Sequence, residues 1–509
     1  MNLILGQKNT YRLVLALLFF ILMGFCSKII FFPAKDLSQD TFYYISLGMF
    51  PGYCGVEEIK DAFTVGIFPV LIFRLLAWLV WHSGNYYEIC VLASKFLVAL
   101  SLSLFAVLPL AGKPSIIQGI GRAFLTCLFF LTYRVITDYV SLNGEIICVG
   151  LIVLIYRTIN SNLNPILKIA LYVVLVILCI NTKIQSLPLL ISMVLVSNIS
   201  KRYTIHLICI FLTLFFINEI ILFQFKLGYL YKLNDIYRYI FEHAHAHARE
   251  YGLSLALMIL NFIKRGFITF PLLVIGLLNT GLKFFRGRIQ RADKNFILLI
   301  LVSFFCAVAP LKFFDHYLIF LLIPIYYFIR NCGGLIDIFG FKQGLQHPIG
   351  GYSRFTSLLF SILLIVATIY TAVFDYKVIR EWVKTRPMER WIEPYPDDQI
   401  KYIKQQYFIA NDDAKIFVNG WDYSLYSYLG VCPAEHDLAV LDGGMIESRQ
   451  FYEQVFSRKY EYLIDVIDYS GILKDKKYSI DSNKIYLKDF NNQYELILSN
   501  NGLNVYKTK

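Results

Sequence analysis

Long apolar runs dominate the first 375 residues of the chain and recur at short intervals. A run of about 18 or more residues crosses roughly 30 Å of hydrocarbon at about 1.5 Å per residue. Because the runs are continuous rather than alternating, they predict membrane-spanning helices. The predicted spans lie at residues 11–33, 88–111, 117–137, 141–158, 165–181, 184–199, 203–224, 266–284, 295–312, 314–330 and 355–374.

The apolar stretch 63–84 differs from these runs because it carries Pro69 and Arg74 in its middle. The loops "AGKPSIIQGIGR" and "FFRGRIQRADK" are rich in Lys and Arg, which places them on the cytoplasmic side. The amino terminus, with Lys8 and Arg12, should also be cytoplasmic. The number of crossings allows this and the two cytoplasmic loops together only if 63–84 does not cross the membrane. We therefore predict an interfacial helix there, within a first external loop at 34–87.

The composition changes after Phe374, where charged residues and prolines replace the apolar runs. From about residue 398, short alternating segments such as "YLIDVID", "YELILS" and "GLNVYKT" predict strands with helices between them. The sequence thus predicts a transmembrane module at 1–375 and a small extracytoplasmic α/β domain at 376–509.

Composition supports a polytopic helical membrane protein of about eleven spans. The chain is 57% hydrophobic and 17% charged, which is too apolar for a soluble domain of 509 residues. The net charge of +12 falls largely in loops between the predicted spans, so it does not predict nucleic-acid binding. Most of the ten cysteines lie inside spans as small core residues, whereas Cys54 and Cys432 lie outside, where they can pair.

Acidic and basic side chains collect in the predicted external loops. Such groups are costly near hydrocarbon unless partners or function justify them. The acids are Asp40 after the first span and Asp138 and Glu145 in "DYVSLNGE". The cations are Lys183 in "NTKIQS", Arg249 in "FEHAHAHARE", Lys264 and Arg265 before the eighth span, and Lys312 and His316 in "APLKFFDHYL".

These groups suit a sugar that is joined through phosphate to a polyprenyl lipid. A departing phosphate needs cations, and the candidates for donor-phosphate binding are Lys183, Arg249, His316, Lys312 and Arg265. An acceptor hydroxyl needs a base as it attacks the anomeric carbon, and a partly desolvated carboxylate serves. Tyr43 and Tyr44, behind Asp40, either stack on a sugar or belong to an interfacial aromatic belt.

The ordered set of motifs resembles the GT-C glycosyltransferase superfamily, which includes aminoarabinose transferases and protein O-mannosyltransferases. "LSQDTFYYISLGMF" resembles the family's first-loop segment and points to Asp40 as the base, although Thr41 stands where many members have a second acid. "DYVSLNGEII" corresponds to the second loop, where either Glu145 or Asp138 supplies an acid.

Three later motifs extend the resemblance along most of the chain. "NTKIQSLPLLI" resembles the family's Thr-Lys segment, which puts Lys183 at the phosphate. "FFDHYLIFLLIPI" resembles a late-helix pattern that marks His316 and Tyr317. "IYRYIFEHAHAHARE" lies where the family has a mobile loop over the substrate, which gives His243 and His247 a substrate-binding role.

Together with the resemblance, these groups predict an inverting transferase with a polyprenyl-phosphate sugar donor and a periplasmic acceptor. The many-spanned chain, rich in Phe, Ile and Lys, favours a bacterial inner membrane. No cofactor is expected, because His243 and His247 lack both the HExxH glutamate and a third ligand for zinc. The alternatives are a flippase for lipid-linked sugars, an O-antigen polymerase or ligase, and a non-catalytic scaffold. Simpler roles also stand: Asp40 as a helix cap, Lys183 as a snorkelling lysine and His316 as an interfacial histidine.

Overall fold

The computed structural model is mostly helical, with a small sheet near the carboxyl terminus. It describes residues 7–32, 37, 39–48, 66–80, 86–107, 116–135, 137–225, 228–231, 233, 254–285, 287–311, 313–331, 369, 373, 376–377, 380, 398–407, 416–419, 423–429, 460–466, 480, 484, 490–500 and 503–509.

The described α-helices are numbered here in chain order. They are α1 Gln7–Ile30, α2 Gln39–Leu47, α3 Ile67–Val80, α4 Tyr86–Val107, α5 Ile116–Thr132, α6 Thr137–Val140, α7 Gly144–Ile159, α8 Pro165–Ile180, α9 Leu187–Leu195, α10 Lys201–Gln224, α11 Leu255–Thr269, α12 Pro271–Phe285, α13 Arg291–Val308, α14 Leu322–Asn331, α15 Asp398–Tyr407, α16 Tyr423–Leu429 and α17 Phe490–Gln493. Two 3₁₀ helices precede α9 and α14, at Ile184–Ser186 and Asp315–Leu321.

The chain groups into two compact units. The first contains Met1–Phe32, Lys95–Asn218 and Ala244–Pro387, and the second contains Pro33–Ser94, Glu219–His243 and Met388–Lys509. In the first unit, α1 packs on α5, α7 packs on α8, and α13 packs on α9, on α14 and on the second 3₁₀ helix. Its core is mainly apolar and also buries polar side chains such as Lys95, Glu145 and Asn279.

Membrane-spanning length is reached by fewer helices than the sequence predicted. Within the described ranges, α4 and α10 are long and apolar enough to cross a membrane, and the bent pair α11–α12 makes a third if it counts as one span. The prediction of eleven spans is therefore not confirmed. Several predicted spans form shorter helices, such as α8 with 16 residues and α9 with 9.

Two predicted spans differ from the structure in a way that the sequence explains. The span predicted at 266–284 is interrupted near its start, because the chain bends by 92° between α11 and α12. Pro271 begins α12, where its missing N–H costs nothing, and it holds the preceding Phe270 out of the helical conformation at φ −120° and ψ 79°. The span predicted at 355–374 lies outside the described residues except at positions 369 and 373.

The predicted interfacial segment forms the separate helix α3, which packs on α2 within the second unit. Arg74 of α3 donates from Nη2 to the carbonyl of Leu47 at 3.2 Å, so it satisfies a carbonyl at the end of α2. Gly48 follows at that end, and a Cβ there would collide with the Cβ of Phe73. A larger residue at position 48 would push α2 and α3 apart.

The carboxyl-terminal sheet contains the four strands that the alternating segments predicted. They are β1 Ile416–Asn419, β2 Tyr462–Val466, β3 Tyr494–Asn500 and β4 Leu503–Thr508, in the order β1-β2-β4-β3. The β1–β2 pair is parallel, and the other two pairs are antiparallel.

The helices α15 and α16 also belong to the second unit. There, α16 packs on α2, and Lys404 of α15 lies 2.7 Å from Oε1 of Glu88 and 4.2 Å from the ring centre of Tyr428. Burial of these aromatic and charged groups holds the carboxyl-terminal helices to the segments that follow the first predicted span.

A buried carboxylate joins the two parallel strands and generates a stability prediction. Asp465 is fully buried, and it accepts the side-chain amide of Asn419 at 2.7 Å and the N–H of Ile480 at 2.9 Å. Asp465→Ala removes the shared acceptor of both bonds, so we expect a loss of about 2–4 kcal/mol in the free energy of unfolding of this domain. Hydrogen exchange of β1 and β2 in the full chain measures the loss, and Glu495→Gln on exposed β3 is the matched control. Equal protection in both variants would contradict the prediction.

Candidate functional site

Glu145 lies at the start of α7, in a turn that an asparagine caps. Asn143 Oδ1 accepts the N–H of Ile146 at 3.0 Å, and the Asn143 side-chain amide donates to the carbonyl of Asp138 at 3.1 Å. These two bonds fix the turn between α6 and α7. Glu145 therefore occupies the first turn of α7, where the helix dipole favours a negative charge.

Lys183 reaches Glu145 from the turn that follows α8. Its Nζ lies 3.2 Å from Glu145 Oε1, and the amide of Gln185 donates to the same oxygen at 3.0 Å. The Glu145 side chain is fully buried and that of Lys183 is 12% exposed, so this ion pair is largely withdrawn from water. The structure thus brings together two residues that the sequence analysis had assigned separately to acid and phosphate roles.

The second oxygen of the Glu145 carboxylate is the least satisfied atom of this cluster. Oε2 is buried and accepts no hydrogen bond from any residue that the structure describes. A buried acceptor without a donor costs about 1–3 kcal/mol. An ammonium, hydroxyl or amide group of a ligand would remove that cost, so the arrangement is suited to binding.

Gly144 allows Lys183 to approach the start of α7. A Cβ at position 144 would lie 2.6 Å from the Cγ and 2.9 Å from the Cε of Lys183. The aliphatic part of the lysine therefore lies directly over the glycine backbone. Only glycine leaves room for this path, which aims the ammonium group at Glu145.

Tyr139 connects this turn electrostatically to the second 3₁₀ helix. Its side chain is 1% exposed, and its ring packs against Phe270 with centroids 5.9 Å apart. Burial raises the pKa of the Tyr139 phenol above its ordinary value, and the negative charges of Asp315 and Asp138 raise it further, while a hydrogen bond with Thr269 opposes them. Tyr139 therefore stays neutral, as its packing requires.

Arg265 is already engaged by protein groups. Its Nη1 lies 2.7 Å from Asp315 Oδ1, and its Nη2 donates to the carbonyl of Phe313 at 3.0 Å. The side chains of Arg265 and Asp315 are 47% and 33% exposed, so the pair contributes at most about 1 kcal/mol. A phosphate would have to compete with Asp315 for this guanidinium.

The backbone before the second 3₁₀ helix is strained. Leu311 and Phe313 adopt positive φ angles of 54° and 55°, which bulky side chains rarely do. Such conformations cost on the order of 1–3 kcal/mol each and collect at functional sites. The strained turn carries the chain into His316 and Tyr317, which are both buried, with ring centroids 4.3 Å apart. This 3₁₀ helix packs on α6 and α7, the helices of Asp138 and Glu145.

Asp40 lies in the second unit, in the first turn of α2, and is half-buried. Asp40 is therefore the second residue of the helix rather than its N-cap, and its carboxylate there is favoured by the helix dipole. Tyr43 and Tyr44 are 5% and 0% exposed. Their burial favours a packing role over the predicted stacking on a sugar.

Four predicted ligand-binding residues, Arg249, Lys312, His243 and His247, lie outside the described residues, as do Cys54 and Cys432. Among the described side chains, no group of three His, Cys, Asp or Glu residues is arranged to hold a metal ion. Sequence reasoning missed Gln185 and Gly144. Gly144 is adjacent to Glu145, and Gln185 is two positions after Lys183. The available signals were therefore a glycine beside one predicted site residue and a polar side chain close to the other.

Comparison with protein-family models and with curated proteins found no match to this chain. Membership of the GT-C superfamily therefore stays a prediction that depends on the motifs quoted above.

The buried pair generates a stability prediction. Lys183→Met leaves Glu145 buried without a cation, so we expect a loss of about 3 kcal/mol in the free energy of unfolding. Glu145→Gln should cost less, because a neutral amide is easier to bury than a carboxylate. Thermal unfolding of the purified full chain in detergent measures both losses.

The control is the exposed pair Arg265–Asp315. Arg265→Gln removes a comparable charge contact, and its expected cost is below about 1 kcal/mol. Similar losses for Lys183→Met and Arg265→Gln would show that Glu145 is solvated rather than buried.

Proposed function

We propose that the chain is an integral membrane glycosyltransferase of the GT-C type. It moves one sugar from a polyprenyl-phosphate donor to an acceptor on the outer side of a bacterial inner membrane. The observation that carries the proposal is the buried Glu145–Lys183–Gln185 cluster, in which one carboxylate oxygen has no donor among the described residues.

A membrane setting is supported by the apolar side chains that the first unit exposes. Along α10, exposed residues include Leu212, Phe216 and Ile217. Apolar surface of this kind is unfavourable in water and neutral in lipid. We retain eleven spans as part of the proposal.

A predicted span whose α-helix is short can still cross the membrane if the rest of the span is a 3₁₀ helix, which rises further per residue. The second 3₁₀ helix has 7 residues and α14 has 10. At about 2.0 Å per 3₁₀ residue and 1.5 Å per α residue, they reach together about 29 Å. That length is close to the thickness of the hydrocarbon core.

In the proposed reaction, Lys183 neutralises the phosphate as it leaves. The bond between the anomeric carbon and the phosphate oxygen breaks, and its electron pair stays on the phosphate. An ammonium group within reach stabilises that charge. Glu145 holds Lys183 in place, and Gln185 continues to donate to Glu145 when the lysine turns to the phosphate. Glu145 is thus a positioning residue for Lys183.

Asp40 is assigned to the acceptor. The acceptor hydroxyl attacks the anomeric carbon, forms the new glycosidic bond and passes its proton to the Asp40 carboxylate. One displacement inverts the anomeric configuration. Asp138 is half-exposed and its carbonyl is held by Asn143, so we assign it to orienting the hydroxyls of donor or acceptor.

One observation favours a second function, the transport of a lipid-linked sugar. The 92° bend between α11 and α12 is a proline-interrupted apolar segment, and broken segments of this kind form the binding sites of many transporters. Transport would move the intact donor without breaking its sugar–phosphate bond. The assay therefore has to measure both transfer of the sugar to an acceptor and movement of the intact donor across the bilayer.

The central test is sugar transfer in vesicles that contain the full chain. The substrates are radiolabelled polyprenyl-phosphate hexoses and pentoses, with an envelope extract as acceptor. We expect Asp40→Asn to lower the rate by about 100-fold or more, because a general base contributes about 10²–10⁴. We expect a similar loss in Lys183→Gln.

Matched controls are Glu495→Gln and Lys294→Gln, which change an exposed acid and an exposed lysine. Unchanged transfer in folded Asp40→Asn would remove this residue from the mechanism. Movement of labelled donor across the bilayer without transfer would support the transporter.

A second prediction uses the close approach at Gly144. Gly144→Ala retains every charge but displaces the Lys183 side chain from its path. We expect transfer to fall by about tenfold to a hundredfold, because small misplacements of a catalytic group have effects of this size. Gly281→Ala is the control, since a Cβ there meets no atom within 4 Å. Equal activity in the two variants would exclude a role for the position of Lys183.

A further inference from the structure

The opposite end of α7 carries a second polar cluster, which the proposed reaction does not use. Arg157 lies in the last turn of α7 and Arg330 in the last turn of α14, and these two helices pack against each other. Both arginines are partly exposed. Neither forms an ion pair with a carboxylate in the part of the chain that the structure describes.

Two hydrogen-bond donors in this cluster have only each other nearby. The Nη1 of Arg330 and the hydroxyl of Tyr326 are buried and interact with each other, but neither forms a hydrogen bond of good geometry with any described residue. Tyr326 is 0% exposed, and it precedes Arg330 by four positions, so both side chains lie on the same face of α14. Each unmade bond costs about 1–3 kcal/mol, which an incoming acceptor would recover.

The positive charges of the cluster lie close together. The charges of Arg330 and Arg157 both act on the phenol of Tyr326. The guanidinium carbon of Arg330 lies 5.4 Å from the ring centre of Tyr156, whose ring meets that of Tyr326 at 6.1 Å. Guanidinium and phenol donors therefore surround one small region at the ends of α7 and α14.

The neighbouring acid is not free to neutralise these arginines. Asp293 of α13 is held by Lys283 at 2.7 Å and by the N–H of Gln290 at 2.9 Å. Attraction of an arginine to a helix carboxyl end accounts for Arg157 and Arg330 individually. It does not account for the buried donors, which point to an anion with several acceptor oxygens.

We propose that Arg157, Arg330 and Tyr326 bind the phosphate of an anionic phospholipid in the cytoplasmic leaflet. Guanidinium groups bind phosphate through paired hydrogen bonds. Under the proposed membrane topology, α7 and α14 end at the cytoplasmic side, where basic pockets between helices recognise anionic headgroups. The inference depends on membrane insertion but not on sugar transfer, so the two proposals fail separately.

The test measures lipid binding to the delipidated full chain in mixed detergent micelles, by native mass spectrometry and titration. The probes are phosphatidylglycerol, zwitterionic phosphatidylcholine and inorganic phosphate alone. We expect phosphatidylglycerol to bind at least about tenfold more tightly than phosphatidylcholine. In Arg157→Gln/Arg330→Gln, that affinity should fall by about tenfold or more, the size expected from losing one charge-assisted bond.

The matched control is Lys201→Gln/Arg202→Gln, which removes two exposed charges at the start of α10 on the same predicted side. Its affinity for phosphatidylglycerol should stay within about twofold of the parent chain. If both double variants lost the same affinity for phosphatidylglycerol, the loss would come from the lower net charge, and the proposed site would be wrong. Inorganic phosphate that binds as tightly as the lipid would overturn the assignment to a headgroup.

Two milder variants decide the matter if the double variant does not fold. Tyr326→Phe removes one hydroxyl and should weaken phosphatidylglycerol binding by about threefold. Arg330→Lys keeps the charge but loses the planar, two-pronged guanidinium. Its affinity for phosphatidylglycerol should therefore be lower than that of the parent chain. Parent-like affinity in both variants would overturn the proposal.

Discussion

A carboxylate with no exposed surface requires a cation, and the arrangement of the candidate site follows from this requirement at Glu145. Moving a carboxylate out of water costs several kcal/mol, which only a close and well-oriented partner offsets. Lys183 supplies that partner at 3.2 Å from a turn remote in sequence. The glycine beneath the lysine, the asparagine that shapes the turn and the amide of Gln185 all serve this pair.

The helix α7 keeps its charged side chains at its two ends, because an unpaired charge is costly to bury in the interior. Between Glu145 and Arg157, the helix α7 carries no charged side chain. Helix ends also leave backbone groups without intrahelical partners, so turns attract polar side chains. The positive φ angles at Leu311 and Phe313 occur at such an end, just before the second 3₁₀ helix. Irregular backbone and candidate chemistry therefore coincide for one physical reason.

The sequence predicted best where a periodic pattern dictates the structure. Short segments rich in β-branched and aromatic residues predicted strands in the carboxyl-terminal domain, and the structure has four, of which β1 and β2 are buried along their whole length. Apolar runs located helices but not their lengths, since hydrophobicity does not show where Pro271 turns the chain or where 3₁₀ geometry replaces α. Glu145 and Lys183 were each singled out. Their pairing was not predicted, because it depends on how α7 and α8 pack.

The roles of Tyr43 and Tyr44 also could not be decided from the sequence. A tyrosine beside a predicted interface serves equally as a sugar platform, a membrane anchor or a core residue, and only packing decides among them. In the second unit both are buried. Asp40, near the start of the same helix, is half-buried instead.

The two ends of α7 separate ordinary helix electrostatics from binding. An acid in the first turn and an arginine in the last turn complement the helix dipole, and this alone stabilises by a few tenths of a kcal/mol to about 1 kcal/mol. The dipole does not require that either charge be buried. Yet Oε2 of Glu145 at one end is buried without a donor among the described residues, and Nη1 of Arg330 beside the other end is buried with only Tyr326 as a polar neighbour there. At about 18 Å apart along one helix, the two ends cannot share a ligand headgroup. The carboxylate oxygen at one end would bind a hydrogen-bond donor, whereas the guanidinium and phenol groups at the other end would bind an anion. The two sites therefore have to be tested independently.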